Sequence, residues 1–194
     1  MEEIEKKIRE LDIRKALVSG PSDQATILSY LFNILANKSI LDQIVRRLNL
    51  QSTIPTSNLS PKEMCMLQLM NVLFTVEGTL TGIFNLAIYA LIVNAHHDIW
   101  TTRTHDFASS FEDIYEVDLS VKIKFLEKHG YDFLTEVCPR RIRNAIAHSD
   151  FVIKEDGTLE IENGQETYSL AQLNGVLQNM YILITIVGDA MEKD

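Results

Sequence analysis

An all-α, up-and-down helical bundle with a short β-hairpin inserted before the last helix is the fold class this sequence predicts. Apolar residues recur at helical spacing over most of the chain, helix start and stop signals punctuate it, and one Asp-Gly turn interrupts it late. The 194 residues are 46% hydrophobic and 23% charged, which suffices for one well-filled core in a single domain spanning 1–194. Within that domain, 1–50 reads as an N-terminal helical pair and 60–191 as the main bundle.

Glu2 to Val18 predicts a first helix whose stripe is Ile4, Ile8, Leu11, Ile13 and Leu17. Ser19-Gly20-Pro21-Ser22 ends it, because proline cannot continue the ladder. Ser22 or Asp23 then caps a second helix to about Leu48, with a kink at Asn37-Lys38-Ser39. Asn49 to Asn58 reads as a loop. Ser60-Pro61-Lys62-Glu63 is the clearest helix start: a capping serine, proline at the first position, and a glutamate placed to close a capping box. The helix it opens is expected to reach about Ile99, with Gly78 and Gly82 as bend points. Gly78 to His97 carries no residue charged at neutral pH and is long enough to span a bilayer. Its Thr, Asn and His residues favour a central bundle helix instead. A second apolar segment, Tyr181 to Val187, is too short to span.

Thr101 to Glu116 reads as a loop with one helical turn near Ser110 to Tyr115. Asp118 or Ser120 caps a short helix through Lys128, which His129-Gly130 terminates. The next helix runs from about Asp132 to Ala147, and Pro139 kinks or divides it. β-branched residues flank Asp156-Gly157, giving a hairpin of 151–154 with 158–162, and Asn163-Gly164 marks a further turn. Ser169 caps a last helix through about Met191.

A net charge of −9 makes the surface generally repulsive to nucleic acid and to anionic membrane, so any site for a polyanion must be local. Cys65 and Cys138 lie in apolar helical context and read as reduced, buried thiols. The acidic start, Met1-Glu2-Glu3-Ile4-Glu5, lacks the pattern of a signal peptide. The expectation is a cytoplasmic protein with no membrane partner. His96-His97-Asp98 offers no third ligand, and neighbouring helical residues point about 100° apart. No metal or cofactor site is expected.

The chemistry concentrates in Arg140-Arg141-Ile142-Arg143-Asn144-Ala145-Ile146-Ala147-His148-Ser149-Asp150. On a helix Asn144 and His148 share a face, and Arg143 sits one position around. Arginine supplies a fixed, bidentate cation for a phosphodiester. Histidine exchanges a proton near neutral pH. Arg143-Asn144-Ala145-Ile146-Ala147-His148 resembles the R-x4-6-H motif of HEPN domains. The resemblance extends over about Ser60 to Met191, with the long earlier helix and the hairpin before a closing helix.

It implies a HEPN-type bundle that forms a homodimer with two motif helices lining one cleft. It also implies metal-independent endoribonuclease activity, by 2′-hydroxyl attack leaving 2′,3′-cyclic phosphate ends. Such proteins belong to toxin–antitoxin, phage-defence or RNA-processing systems, with an antitoxin or regulatory protein as a further partner. Carried across, His148 is the catalytic acid/base, Arg143 the phosphate binder, and Asn144 orients histidine or substrate. Glu77, with Asn85 behind it, is the supporting polar residue on an earlier helix, and Asp150 flanks the motif. Arg140, Arg141, Lys122 and Lys124 are the RNA-binding candidates. Asp150 and Phe151 follow His148 where nucleotidyltransferase-paired members carry a tyrosine, which argues against that pairing. The alternative reading is a non-catalytic helical interaction and dimerisation module, in which the same residues brace the fold or bind a partner.

Overall fold

In a computed structural model, described for residues 2–22, 25, 27, 29, 59–101 and 106–192, the chain is mostly helical. The predicted second helix, its kink and the following loop lie almost wholly outside the described residues; positions 25, 27 and 29 are helical, and Ile27 is buried.

The first predicted helix is two. α1 (Glu2–Glu10) and α2 (Ile13–Ser19) are separated at Asp12, which takes a left-handed conformation (φ 45°) and accepts a hydrogen bond from the Lys15 N–H. The break brings both Leu11 and Ile13 into the core, which an unbroken helix would point apart. Asn94 Nδ2 donates to the Leu11 carbonyl, which the break frees, and to the Asp12 carbonyl, which also accepts from the Ala16 N–H, at 2.8 and 2.9 Å. Gly20 then ends α2 where no side chain fits: a Cβ there would lie 1.9 Å from Tyr89 Oη. The predicted cap of the second helix at Ser22 or Asp23 falls largely outside the described residues, and the Ser22 side chain is described only toward Phe111 and Glu112. Its hydroxyl accepts from the Phe111 N–H at 2.7 Å and donates to Glu112 at 3.2 Å.

The Ser60 signal does what its residues dictate. Ser60 Oγ accepts from the Glu63 N–H, and the Ser60 N–H donates to Glu63 Oε2 at 2.7 Å. Ser60→Ala therefore lowers stability by about 1 kcal/mol, read as the shift in a urea midpoint. α3 (Pro61–Phe74) passes through a π-helical turn (Thr75–Leu80) into α4 (Thr81–Ala95). The run stops short of the expected Ile99 because His96 turns left-handed (φ 55°) and closes it. From Gly82 to Leu91 every residue of α4 is buried, so this is the central helix. Pro61–Ala95 and Leu170–Met191 are both long and apolar enough to cross a membrane; 72% of the first one's most apolar window is buried in the protein and 39% of the second's. The apolar character of the last helix thus extends well beyond Tyr181 to Val187.

The loop expected at 101–116 contains a second, unforeseen sheet: β1 (Trp100–Thr101) pairs antiparallel with β2 (Asp106–Phe107). α5 (Phe111–Tyr115) follows, capped by Ser110, and then α6 (Leu119–Lys128). Pro139 divides the next element fully. α7 is only Asp132–Thr135, and α8 is Arg140–His148. β3 (Phe151–Ile153) and β4 (Leu159–Ile161) form the predicted hairpin, joined by an unpredicted third strand, β5 (Glu166–Tyr168). Gly157 at the hairpin turn has φ +81°, and a Cβ there would meet the Pro61 carbonyl at 2.7 Å, so the turn seats on the start of α3. α9 (Leu170–Glu192) is the last element, with Ser169 at its start, whose hydroxyl accepts from the Gln172 N–H at 3.3 Å. It packs on α1 and α3. Both cysteines are buried and unpaired, and burial pushes the Cys138 thiol up to about 11.

Candidate functional site

α8 owes its start to Pro139 and its end to Ser149. Ser149 sits at φ 56°, and the Asp150 N–H donates to the Ala145 carbonyl at 2.8 Å, closing the last turn. A side chain in the left-handed region costs about 1 kcal/mol. Ser149→Gly is expected to raise stability by up to about that amount, measured by thermal melting. Ile142 and Ala145 bury one face of α8, which packs against α3 and β4. The opposite face leaves Asn144, Ala147 and His148 exposed.

Glu77 lies on the π turn, where the widened helix presents it outward: its side chain is 44% exposed. Such insertions in a helix recur at functional sites. Arg143 Nε donates to Glu77 Oε1 at 2.5 Å, and Arg143 Nη1 donates to Asn144 Oδ1 at 3.2 Å. Two acceptors therefore fix the plane of the guanidinium between α8 and the π turn. Arginine has five N–H donors; those two bonds leave Nη2 directed elsewhere, and no other acceptor for it occurs among the described residues. His148 makes no side-chain hydrogen bond among the described residues, and it stands one helical turn from Asn144. The structure thus joins Arg143, Asn144 and Glu77 directly, and His148 stands apart from them, one turn beyond Asn144 on the exposed side of α8.

Other expected members are elsewhere. Asn85 is buried in α4 at 2% exposure with Oδ1 unpartnered, so it serves the interior. Asp150 is exposed, and its N–H closes α8. Lys122 is corrected outright: it is 2% exposed and cannot meet RNA at the surface. Its Nζ donates to the Tyr115 carbonyl at 3.3 Å, and burial pushes its pKa down to about 8 against the opposing fields of Asp118 and Glu77. Lys124 is exposed on α6. Arg140 and Arg141 are also exposed and already paired, with Glu127 and Glu166 respectively. Those carboxylates escaped sequence reasoning, because partners so far along the chain leave no local spacing to read. His96 shapes the end of α4, and the His97 ring lies 3.9 Å from that of His129.

Beside the first turn of α8 lies an open cleft of about 360 Å³, walled by α8, by Tyr168 at the end of β5 and by α9. On α3, which flanks α8, Met66, Met70 and Phe74 are exposed at four-residue intervals and form one apolar stripe. Comparison with family models, with curated proteins and with solved structures finds no match to this chain.

Proposed function

We propose that this protein is a metal-independent endoribonuclease of HEPN type, with the reaction centred on α8. The observation that carries the reading is the Arg143 guanidinium: Glu77 and Asn144 hold it and leave donors unused, on the same helix that exposes His148. Those donors suit two phosphate oxygens and the charge that builds on them as the 2′-oxygen attacks phosphorus. His148 accepts the 2′-hydroxyl proton. The bond from phosphorus to the 5′-oxygen then breaks, the imidazolium returns a proton to that oxygen, and a 2′,3′-cyclic phosphate remains. Asn144 orients the arginine, and Glu77 secures it from the neighbouring helix.

The assembly proposed is a homodimer. A second copy covering the Met66, Met70 and Phe74 stripe removes exposed apolar surface and brings two α8 helices toward one groove. Cytoplasmic location, an antitoxin or other regulatory partner, and a role in phage defence belong to the same reading. Its test is incubation of purified protein with varied RNAs in EDTA. Cleavage leaving cyclic phosphate ends is expected; inert protein, alone and freed of any partner, would overturn it.

The second reading, a non-catalytic interaction module, draws on the same Glu77 contact, which already neutralises Arg143, and on the apolar stripe. Under it His148→Ala and Arg143→Ala leave RNA untouched and alter only stability or partner binding.

A further inference from the structure

We infer that the cleft at the first turn of α8 receives one unpaired base of the RNA, with the adjoining phosphate on Arg140 and Arg141; this rests on the nuclease reading above. The cleft, about 360 Å³, falls within the size range of small-molecule sites. Val137, Ile142 and Val176 line it with apolar surface that suits the faces of a flat ring. Tyr168 supplies an aromatic wall, and its hydroxyl donates to Glu166 Oε2 at 2.7 Å, which pins the ring. Single-stranded RNA is recognised through this combination: splayed bases stacked on aromatic rings or guanidinium planes, with their edges hydrogen-bonded.

Charge orients the ligand. Glu136 also lines the cleft and repels a phosphate, so the phosphate belongs at the Arg140 and Arg141 end and the N–H edge of the base toward Glu136 and the Asn179 amide. Both arginines are engaged by carboxylates, yet both pairs are open to water on the arginine side, with side-chain exposures of 44% and 38% for Arg140–Glu127 and 63% and 26% for Arg141–Glu166. Exposed pairs are weak, so a phosphate can exchange for them through charge-assisted bidentate bonds. Glu127 and Glu166 then hold the arginines in place until RNA arrives. Arg140 is one helical turn before Arg143, about 4.5 Å along the axis. The base in the cleft therefore belongs to a nucleotide next to the scissile phosphate.

The probe is a fluorescently labelled 2′-O-methyl RNA oligonucleotide, whose capped hydroxyl cannot attack phosphorus, followed by anisotropy. Tyr168→Ala, which removes the ring, and Val176→Trp, which fills the cleft, are each expected to weaken binding roughly tenfold. Tyr168→Phe, which keeps the ring and loses only its tether to Glu166, is expected to weaken binding clearly less than Tyr168→Ala does. On cleavable RNA the first two raise KM and spare kcat. Circular dichroism and melting confirm that each variant folds. Wild-type binding and KM in both Tyr168→Ala and Val176→Trp overturn the cleft while the nuclease reading stands. Binding that depends on Tyr168 in a protein that cleaves no RNA overturns the nuclease and keeps the cleft. Absence of RNA binding and cleavage by the wild type overturns both.

Discussion

His148→Ala lowers kcat for RNA cleavage by about two to four orders of magnitude, the usual worth of a positioned general acid or base. The melting temperature stays near wild type, because the imidazole is exposed and makes no side-chain hydrogen bond among the described residues. Arg143→Ala costs a further test of the same site. Losing a preorganised donor to the developing phosphate charge costs about two to three orders of magnitude. Removing the pair with Glu77 costs stability only about 0–1 kcal/mol, since the glutamate side chain is 44% exposed and water can solvate it. Arg143→Lys should not rescue, because an ammonium lacks the planar fork that satisfies Glu77, Asn144 and a phosphate together. Single-turnover cleavage with melts on the same samples separates the two effects. Cleavage at wild-type rates in His148→Ala would assign the activity elsewhere and leave α8 with a structural role.

How much of this was legible in the sequence follows from how local each signal was. Ser60 with Glu63, Pro139, and Asp156-Gly157 each act within a few residues, and each produced the expected boundary or turn. The Arg143–Glu77 contact joins residues 66 apart, yet it was anticipated, because Glu77 is the charge that borders a long uncharged helical run and needs a partner or water. The break at Asp12 leaves no local signal because tertiary contacts set it: Asn94, far along the chain, satisfies the Leu11 carbonyl that the break frees. The π turn leaves no readable signal either: one inserted residue turns the apolar stripe by about 100°, but α4 is buried on all sides from Gly82 to Leu91 and shows no stripe to be shifted. Two- and three-residue strands such as β1, β2 and β5 are too short to show an alternation.

Lys122 is the instructive error. Its charge puts it with Lys124 among the RNA-binding candidates, although Leu119, Lys122, Ile123 and Leu126 are spaced as one apolar helix face. Periodicity outweighed charge: Lys122 is buried and Lys124 exposed. The buried charge has a measurable price. Its pKa falls from 10.5 to about 8, which corresponds to about 3 kcal/mol of penalty on the charged form. Its bond to the Tyr115 carbonyl and the fields of Asp118 and Glu77 compensate only in part.

The sign follows from proton counts. Between pH 8 and 10.5 the unfolded chain holds the Lys122 proton and the folded chain does not, so this residue makes stability rise with pH across that window. Below pH 8 the penalty is complete; above 10.5 it vanishes. Lys122→Met keeps the length and volume of the stem without the charge, so it should stabilise the protein by about 2–3 kcal/mol at pH 7. The advantage should shrink to near zero above pH 10.5. Urea melts of wild type and variant at pH 7, 9 and 10.5 measure the difference, in which every other titrating group cancels to first order. A gap that ignores pH would mean that Lys122 keeps an ordinary pKa, reaching water despite its position on the inner face of α6.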